Sequence, residues 1–179
     1  MFARVVATVI VTLAMSAPSW AAPGDYEIFQ DVSKQVLRYS QFTIFDSINA
    51  EVVDGVVTLT GKVTMPYKRT DIERRVAGVA GVKQVNNGIT VLPVSMFDDE
   101  LRFRISRALY GNSNFWRYGS MVNPPIHIIV EHGRVTLEGV VNSNIDRMLA
   151  RSIASSFDAF EVTNNLKTDE EARAELEKI

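Results

Sequence analysis

A nine-residue segment occurs twice in this chain, and this repeat constrains the fold more than any other feature of the sequence. Residues 55–63 read Gly-Val-Val-Thr-Leu-Thr-Gly-Lys-Val and residues 133–141 read Gly-Arg-Val-Thr-Leu-Glu-Gly-Val-Val, so six of the nine positions are identical. Both glycines and the alternating apolar positions recur. A match of this density indicates one structural module that is used twice.

The residues around the first copy predict the element order α-β-β-α-β. Apolar residues at helical spacing indicate an amphipathic helix over 26–39. Apolar and polar residues then alternate on either side of Asp54 and Gly55, a pair that favours a two-residue hairpin turn. Pro66 is placed to open a second helix, which Gly81 is expected to end before a third strand begins.

The second copy repeats this order. Leu101, Ile105 and Leu109 predict its first helix. His132 and Gly133 predict its hairpin turn. One face of its second helix carries Ile145, Leu149, Ile153 and Phe157. The last strand is indicated by Phe160, Val162 and Leu166.

These patterns predict an α+β protein of two tandem modules, each with two helices packed on one face of a small mixed three-stranded sheet. We expect module one over residues 26–94, module two over 97–168 and a charged tail over 169–179. Thr168 and Glu171 have the spacing of a capping box, which opens a short charged helix in that tail.

The first 21 residues have the pattern of a secretory signal peptide. Arg4 precedes an apolar run at 5–17, whose 13 residues are fewer than the ~20 that span a bilayer. Small residues at 19 and 21 suit a signal peptidase, so we expect cleavage after Ala21; a retained membrane anchor is the alternative. An exported chain without cysteine suits the periplasm, where the fold would depend on its core rather than on disulfides.

Composition excludes several classes of function. Lys and Arg total 19 against 21 Asp and Glu, so the net charge of −2 offers no positive field for nucleic acid. The absence of Cys removes thiolate nucleophiles and zinc ribbons. His127 is expected on the solvent face of a strand and His132 in a turn, without the spacing of metal ligands or of a catalytic pair. The acidic run at 98–100 is explained by the dipole of the helix that it opens. We therefore expect no enzyme activity, no cofactor and no metal site.

Further positions give the chain a resemblance to a known family. Each module has an acidic helix start, the Gly-x-Val-x-Leu-x-Gly-x-Val strand and an arginine eight residues after the second glycine, which is Arg69 or Arg147. Module one closes with Gly-Val-x-x-Val-x-Asn at 81–87, whereas module two has Ala159 in place of that glycine. The pattern resembles two tandem copies of the BON domain, named for the bacterial OsmY and nodulation proteins.

This resemblance implies a noncatalytic, exported envelope protein that supports envelope integrity or stress tolerance. Its partner would be a phospholipid membrane surface or an envelope protein, and the family provides no catalytic residues to carry over. The residues alone leave a second function open. In that alternative the chain is a protein–protein adaptor, whose exposed sheet edges pair with a strand of the partner.

The four glycines of the repeat have predicted structural roles. Gly55 and Gly133 suit hairpin positions with positive φ. Gly61 and Gly139 fall on the core-facing side of their strands, where the missing side chain would let a helix approach. A ligand that lies against the bare backbone is the alternative at these two positions.

The modules differ most in the connector between their first helix and first strand, which is about six residues longer in module two. We expect the fold not to require these extra residues, because module one forms without them. The candidate binding residues in and beside this connector are Tyr110, Phe115, Trp116, Arg117, Tyr118 and Met121. Trp and Tyr favour the depth of lipid headgroups and Arg favours phosphate, so the segment is predicted to bind phospholipid or an envelope partner. A loop that folds back to plug the core is the alternative.

Overall fold

The computed structural model describes residues 23–176, and the predicted signal peptide lies outside them. Module one consists of α1 (Asp25–Leu37), β1 (Ser47–Val53), β2 (Val56–Val63), α2 (Pro66–Ala77) and β3 (Gln84–Val91). Module two consists of α3 (Met96–Tyr110), a 3₁₀ turn (Ser113–Phe115), α4 (Trp116–Gly119), β4 (Ile126–Glu131), β5 (Arg134–Val141), α5 (Asn144–Ala154) and β6 (Glu161–Thr168). The helix α6 (Asp169–Leu176) follows. The predicted α+β class and the repeated α-β-β-α-β order are confirmed.

Each module forms its own three-stranded sheet, in the order β1-β2-β3 or β4-β5-β6. The hairpin pair of each sheet is antiparallel and the second pair is parallel. Parallel neighbours need a crossover connection, which α2 and α5 supply. The helix α2 ends at Ala77 with Gly78 as its cap, so the predicted end at Gly81 is three residues too late. The repeated motif forms each central strand, whose buried side chains are Val57, Leu59 and Val63 in β2 and Val135, Leu137 and Val141 in β5.

Both hairpins turn at residues with positive φ, as predicted. Asp54 and Gly55 have φ values of 52° and 78°, and His132 and Gly133 have values of 52° and 72°. Two successive residues with positive φ match the twist of a tight antiparallel hairpin. A non-glycine residue tolerates this conformation only at a local cost in energy.

A carboxylate from the first helix holds each hairpin turn. Asp25 accepts hydrogen bonds from the backbone N–H groups of Asp54 and Gly55 at 2.7 and 2.9 Å. The buried Asp98 accepts the two equivalent bonds of the second hairpin at 2.9 and 2.7 Å. The helix dipole is therefore an incomplete explanation of the acidic run at 98–100, because one of its carboxylates also fastens the helix to the sheet.

The helix α5 turns a different face to the core from the one predicted. Asp146, Ala150 and Ala154 are buried. Ile145 is 76% exposed. The side chains that lie half-buried at the edge of the core are Leu149, Ile153 and Phe157. The buried stripe is offset by one residue because small alanine side chains let the helix lie close to its neighbours in a densely packed core.

Gly61 and Gly139 serve a different purpose from the predicted one. Both have φ of 120°. A Cβ at either position would overlap a backbone carbonyl oxygen where the neighbouring strand begins, that of Ser47 or of Pro125. The missing side chain therefore admits the adjacent strand rather than a helix.

The C-terminal helix α6 begins with the predicted capping box. The N–H of Thr168 donates to the Glu171 carboxylate at 2.9 Å, and the N–H of Glu171 donates to the Thr168 hydroxyl at 3.3 Å. Arg147 pairs with Glu171 at 2.8 Å and ties α6 to α5. Within residues 23–176, no helix is both long enough and apolar enough to cross a membrane.

The two modules meet where the connector of module one, residues 38–46, reaches the edge of β4. The N–H of Ile128 donates to the carbonyl of Ile44 at 2.7 Å. The rings of Phe45 and Phe103 pack edge to face with centroids 5.0 Å apart. Two polar pairs also join the modules, Ser47 with Glu138 and Lys62 with Glu131. We call this set of contacts the module junction.

His127 lies within the module junction. Its ring centroid is 5.3 Å from that of Phe42 in the connector of module one. The expectation of a solvent-facing histidine is wrong, because the outer face of β4 is covered by the other module.

Candidate functional site

Half of the predicted binding residues are held inside module two. Phe115 and Tyr118 are 0% and 1% exposed, and their ring centroids lie 5.8 Å apart. The Tyr110 hydroxyl donates to the carbonyl of Ile126 at 2.6 Å, and burial raises the pKa of Tyr110. These three aromatic residues therefore stabilise the core of module two, as the alternative of a core plug expects.

Asp146 anchors the connector of module two to the first turn of α5. The Tyr118 hydroxyl donates to the Asp146 carboxylate at 2.7 Å and accepts from the N–H of Asn142 at 2.9 Å. Arg117 donates to the same carboxylate at 3.1 Å. The N–H of Asp146 donates to the Ser143 hydroxyl, which caps the helix at 3.1 Å. This anchor places α4 beside the start of α5.

Large apolar side chains remain exposed around this anchor. Trp116 is 70% exposed, although the preceding Phe115 is buried and the following Arg117 is bound to Asp146. Because Arg117 and Tyr118 contact Asp146, Trp116 on α4 and Ile145 at the start of α5 lie at the same end of the module. We define the connector surface as Trp116, Met121, Val122, Ile145 and Met148.

Three members of the connector surface were missed by sequence reasoning. Ile145 was placed on the same helical face as core residues, and Val122 and Met148 were not singled out. The spacing of Asp146, Ala150 and Ala154 at every fourth position is the signal that identifies the buried stripe, and hence leaves Ile145 outside it.

Two arginines border the connector surface. Arg117 keeps about half of its side chain exposed while it pairs with Asp146, and its guanidinium lies 5.1 Å from the centroid of the Tyr118 ring. Arg151 is exposed on α5 one turn after Met148. The surface therefore combines apolar area with cationic groups.

A second exposed cluster lies at the opposite end of α3, on the hairpin of module two. Phe97 and Phe160 stack with centroids 6.4 Å apart, and Phe160 is 81% exposed. The N–H of Phe160 donates to the carbonyl of Gly133 at 2.9 Å. Lys83 makes the equivalent bond in module one at 2.8 Å, so a cation there replaces the aromatic ring. We call Phe97 and Phe160 the hairpin-end cluster.

The side chains exposed at these surfaces have the chemistry of a binding surface. In the part of the chain that the structure describes, no three side chains of His, Asp or Glu lie together as metal ligands would. The connector surface presents indole, thioether and aliphatic groups beside guanidinium groups. Such a combination is complementary to an amphiphile with an anionic headgroup.

Seven chains of solved structures match this chain, and among them are two structures of CdsD, a structural protein of the type III secretion system of Chlamydia trachomatis. The first is 14% identical with a TM-score of 0.30, and the match covers 84% of this chain and 97% of that one. The second, its C-terminal domain, is 13% identical with a TM-score of 0.33, covering 79% of this chain and 65% of that one. No curated protein sequence matches the chain. Neither structural similarity is strong enough to assign a function.

The BON domain matches the chain twice, at residues 25–93 and at 98–170. The two matches include the helices and the sheet of both modules. The BON domain is a noncatalytic binding domain associated with phospholipid binding and with envelope and stress roles. Proteins that contain it are typically periplasmic or associated with the envelope. The chain therefore belongs to the BON domain family and carries two tandem copies of the domain.

Proposed function

We propose that this protein binds phospholipid surfaces of the bacterial envelope through module two and thereby supports envelope integrity. The observation that carries the proposal is the connector surface, where Trp116 and its apolar neighbours are exposed beside Arg117 and Arg151. Indole rings favour the depth of lipid headgroups, and guanidinium groups pair with phosphate. This arrangement suits shallow insertion of the connector into one leaflet.

Apolar burial rather than net charge would drive this binding. The net charge of −2 gives no general attraction to anionic lipid. A basic residue close to an anionic surface contributes roughly 1 kcal/mol, so Arg117 and Arg151 supply a modest local term. Apolar area contributes roughly 25 cal/mol per Å² that is removed from water. Five large apolar side chains at one end of the module therefore supply the greater share of the binding free energy.

Module one offers a matched control at the start of its second helix. Tyr67 occupies the repeat position of Ile145 and is 49% exposed. The short connector of module one, residues 38–46, contains no counterpart of α4. A lipid-binding surface built around α4 therefore predicts that module one contributes little.

Flotation of the purified chain with phosphatidylglycerol vesicles tests the proposal, with phosphatidylcholine vesicles for comparison. Trp116→Ala and Ile145→Ser are expected to reduce the floated fraction, whereas Tyr67→Ser keeps it. Because Trp116 is largely exposed, its substitution should change the free energy of unfolding by no more than about 0.5 kcal/mol. A loss of about 3 kcal/mol or more would instead identify Trp116 as a core residue.

A further variant, Phe160→Ser, distinguishes the connector surface from the hairpin-end cluster. Loss of flotation in this variant alone would move the binding surface to the hairpin end of module two. A wild-type chain that does not float with either lipid would refute the proposal. Capture of an envelope protein by that chain would then favour the adaptor function through sheet edges.

The location in the periplasm depends on the N-terminal segment. We expect residues 1–21 to be removed during export, so that the mature chain begins at Ala22. Intact-mass measurement of the protein from a periplasmic extract checks this. Retention of Met1 would contradict it and would favour a membrane anchor.

A further inference from the structure

His127 lies in the module junction with one ring nitrogen buried and unpaired. It occupies the face of β4 opposite the core, where its ring packs against Phe42 of the other module. Its Nδ1 atom is buried and has no hydrogen-bond partner. A neutral imidazole tolerates this arrangement, because one of its nitrogens carries no proton. The junction is therefore built around an uncharged His127.

The charged groups that face this part of the junction already have partners. Glu138, the cross-strand neighbour of His127 on β5, accepts a hydrogen bond from the Ser47 hydroxyl. Asp46, in the connector of module one, pairs with the buried Lys68 at 2.7 Å. A further ion pair on this face joins Lys62 and Glu131. None of these carboxylates accepts a hydrogen bond from His127 among the bonds of the described residues.

Burial is the largest influence on His127 and lowers its pKa below the ordinary value of 6.5. The carbonyl groups of Asp46 and Thr43 and the charges of Asp46 and Glu138 act in the opposite direction, and they are outweighed. Protonation would place a charge in this largely buried site and would add an N–H at Nδ1, an atom that has no hydrogen-bond partner in the closed junction. Both costs disappear when the modules separate and water reaches the ring.

We propose that protonation of His127 opens the module junction, so that acidification releases module two from module one. A cleft of about 270 Å³ lies beside the junction, between the two sheets. Ser47, Lys62 and Glu138 line this cleft, so water already reaches the polar pairs that join the modules. Acidification would thus control how freely the two modules move relative to each other, whatever ligand module two binds.

The direction of the pH dependence follows from proton binding. At acidic pH the open state binds one more proton than the closed state, because His127 is protonated more easily when it is exposed. Neutral His127 therefore contributes its full stabilisation of the closed junction above pH 6.5, and this contribution is lost as the pH falls through the lower pKa of the buried ring. Each unit between the pKa values of His127 in the open and closed states shifts the ratio of the two states about tenfold.

Distance measurements between spin labels on the two modules test this proposal. The chain contains no cysteine, so Thr70→Cys on α2 and Ser152→Cys on α5, both at exposed positions, provide two unique labelling sites. The distance distribution is recorded from about pH 8 to about pH 5, the range in which an imidazole changes its charge. We expect a single population at the upper end and a second, more widely spaced population that grows as the pH falls.

Two variants assign the response to its histidine. His127→Gln cannot take up a proton and should make the distance distribution independent of pH. His132→Asn serves as the control, because asparagine tolerates the positive φ of the turn, and it should keep the wild-type response. In the wild type, an NMR titration of the His127 ring should follow the same curve as the distances. Unchanged distances over this range, or the same response in His127→Gln, would overturn the proposal.

Discussion

Both modules fix the first turn of their second helix with a buried charged side chain, but the signs of the charges are reversed. In module one, α2 supplies Lys68 and the connector supplies Asp46, at a distance of 2.7 Å. In module two, α5 supplies Asp146 and the connector supplies Tyr118 at 2.7 Å and Arg117 at 3.1 Å. Lys68 and Asp146 occupy the same position in the repeat. The contact is retained although its polarity is not.

The reversal accounts for part of the extra length in the connector of module two. A carboxylate reaches Lys68 from a short connector, and nearby threonine residues supply its other hydrogen bonds. In module two the groups that reach Asp146 are the Tyr118 phenol and the Arg117 guanidinium, and both residues lie on the additional helix α4. The expectation that the fold does not need the extra residues is therefore wrong for Phe115 and Tyr118, which are buried. Trp116 has no such structural contact and stays the predicted centre of a binding surface.

The largest effect of breaking either anchor is expected for Asp46→Ala. The carboxylate accepts five hydrogen bonds, from Lys68, Thr43 and Thr64, at 2.7 to 2.9 Å. Burial would raise the pKa of Asp46, but these bonds outweigh it and lower the pKa below the ordinary 3.8. Its removal leaves the Lys68 ammonium buried without a charge partner, which should reduce the free energy of unfolding by about 3 to 5 kcal/mol. Urea unfolding measures the loss.

Two controls separate the lost charge pair from general damage. The double variant Asp46→Ala with Lys68→Met should recover much of the stability, because no buried charge is left unpaired. In the wild type, ionised Asp46 stabilises module one above pH 3.8, and this contribution is lost as the pH falls through the lower pKa of the folded state. A double variant no more stable than Asp46→Ala would show that the charge pair is not the source of the effect.

The next largest effect is expected for Asp25 and Asp98, the carboxylates that hold the hairpin turns; we call each of them, with its two hydrogen bonds, a hairpin clamp. Substitution of these two residues compares the modules directly. Asp98 is buried, whereas Asp25 is only partly buried. Asp98→Ala leaves two turn amides without their acceptor, so the free energy of unfolding should fall by about 2 to 4 kcal/mol. Water can replace the carboxylate in Asp25→Ala, where we expect a loss of about 1 kcal/mol. Equal losses in the two variants, measured by urea unfolding, would show that burial of the carboxylate does not set the strength of the clamp.

The parts of the fold that depend on local chemistry were predictable from the sequence. The two hairpin turns follow from Gly55 and Gly133, because the positive φ that a tight turn needs is accessible to glycine. The capping box of Thr168 and Glu171 follows from a spacing of three residues. The order α-β-β-α-β follows from apolar periodicity, which reports the burial of each element on its own.

The parts that depend on a distant partner were not predictable in this way. Asp98 binds a hairpin that lies 34 and 35 positions further along the chain, so its sequence neighbourhood shows only a helix start. His127 is covered by the other module, and strand periodicity does not reveal how two modules pack. For the candidate site, the sequence predicts a binding segment in the connector of module two but does not show which of its side chains face outward. That division is decided by Asp146, which draws Tyr118 inward and leaves Trp116 outside.

Substitution of the turn glycines is expected to have an intermediate effect. Gly133→Val puts a branched side chain at φ of 72°, where its Cβ would lie 2.7 Å from the exposed Phe160 ring. We expect a loss of about 1 to 3 kcal/mol in the free energy of unfolding. At Gly55 the obstacle is the backbone carbonyl of Gly81 at 2.8 Å, which cannot swing aside as a side chain can, so Gly55→Val should cost at least as much. Unchanged melting of Gly133→Val together with lost lipid flotation would contradict a purely structural role for that glycine.

The smallest effects are expected for the two donors to Asp146, and they separate the structural part of the connector from its binding part. Tyr118→Phe leaves the N–H of Asn142 without its acceptor, so the free energy of unfolding should fall by about 1 to 2 kcal/mol. Arg117→Gln removes an ion pair that is half-exposed, which costs less than about 1 kcal/mol. Because Arg117 also borders the connector surface, its substitution should reduce flotation with anionic vesicles, whereas folded Tyr118→Phe should float as the wild type does. If Arg117→Gln proves the more destabilising of the two, then an ion pair anchors both modules and their connectors differ only in sign.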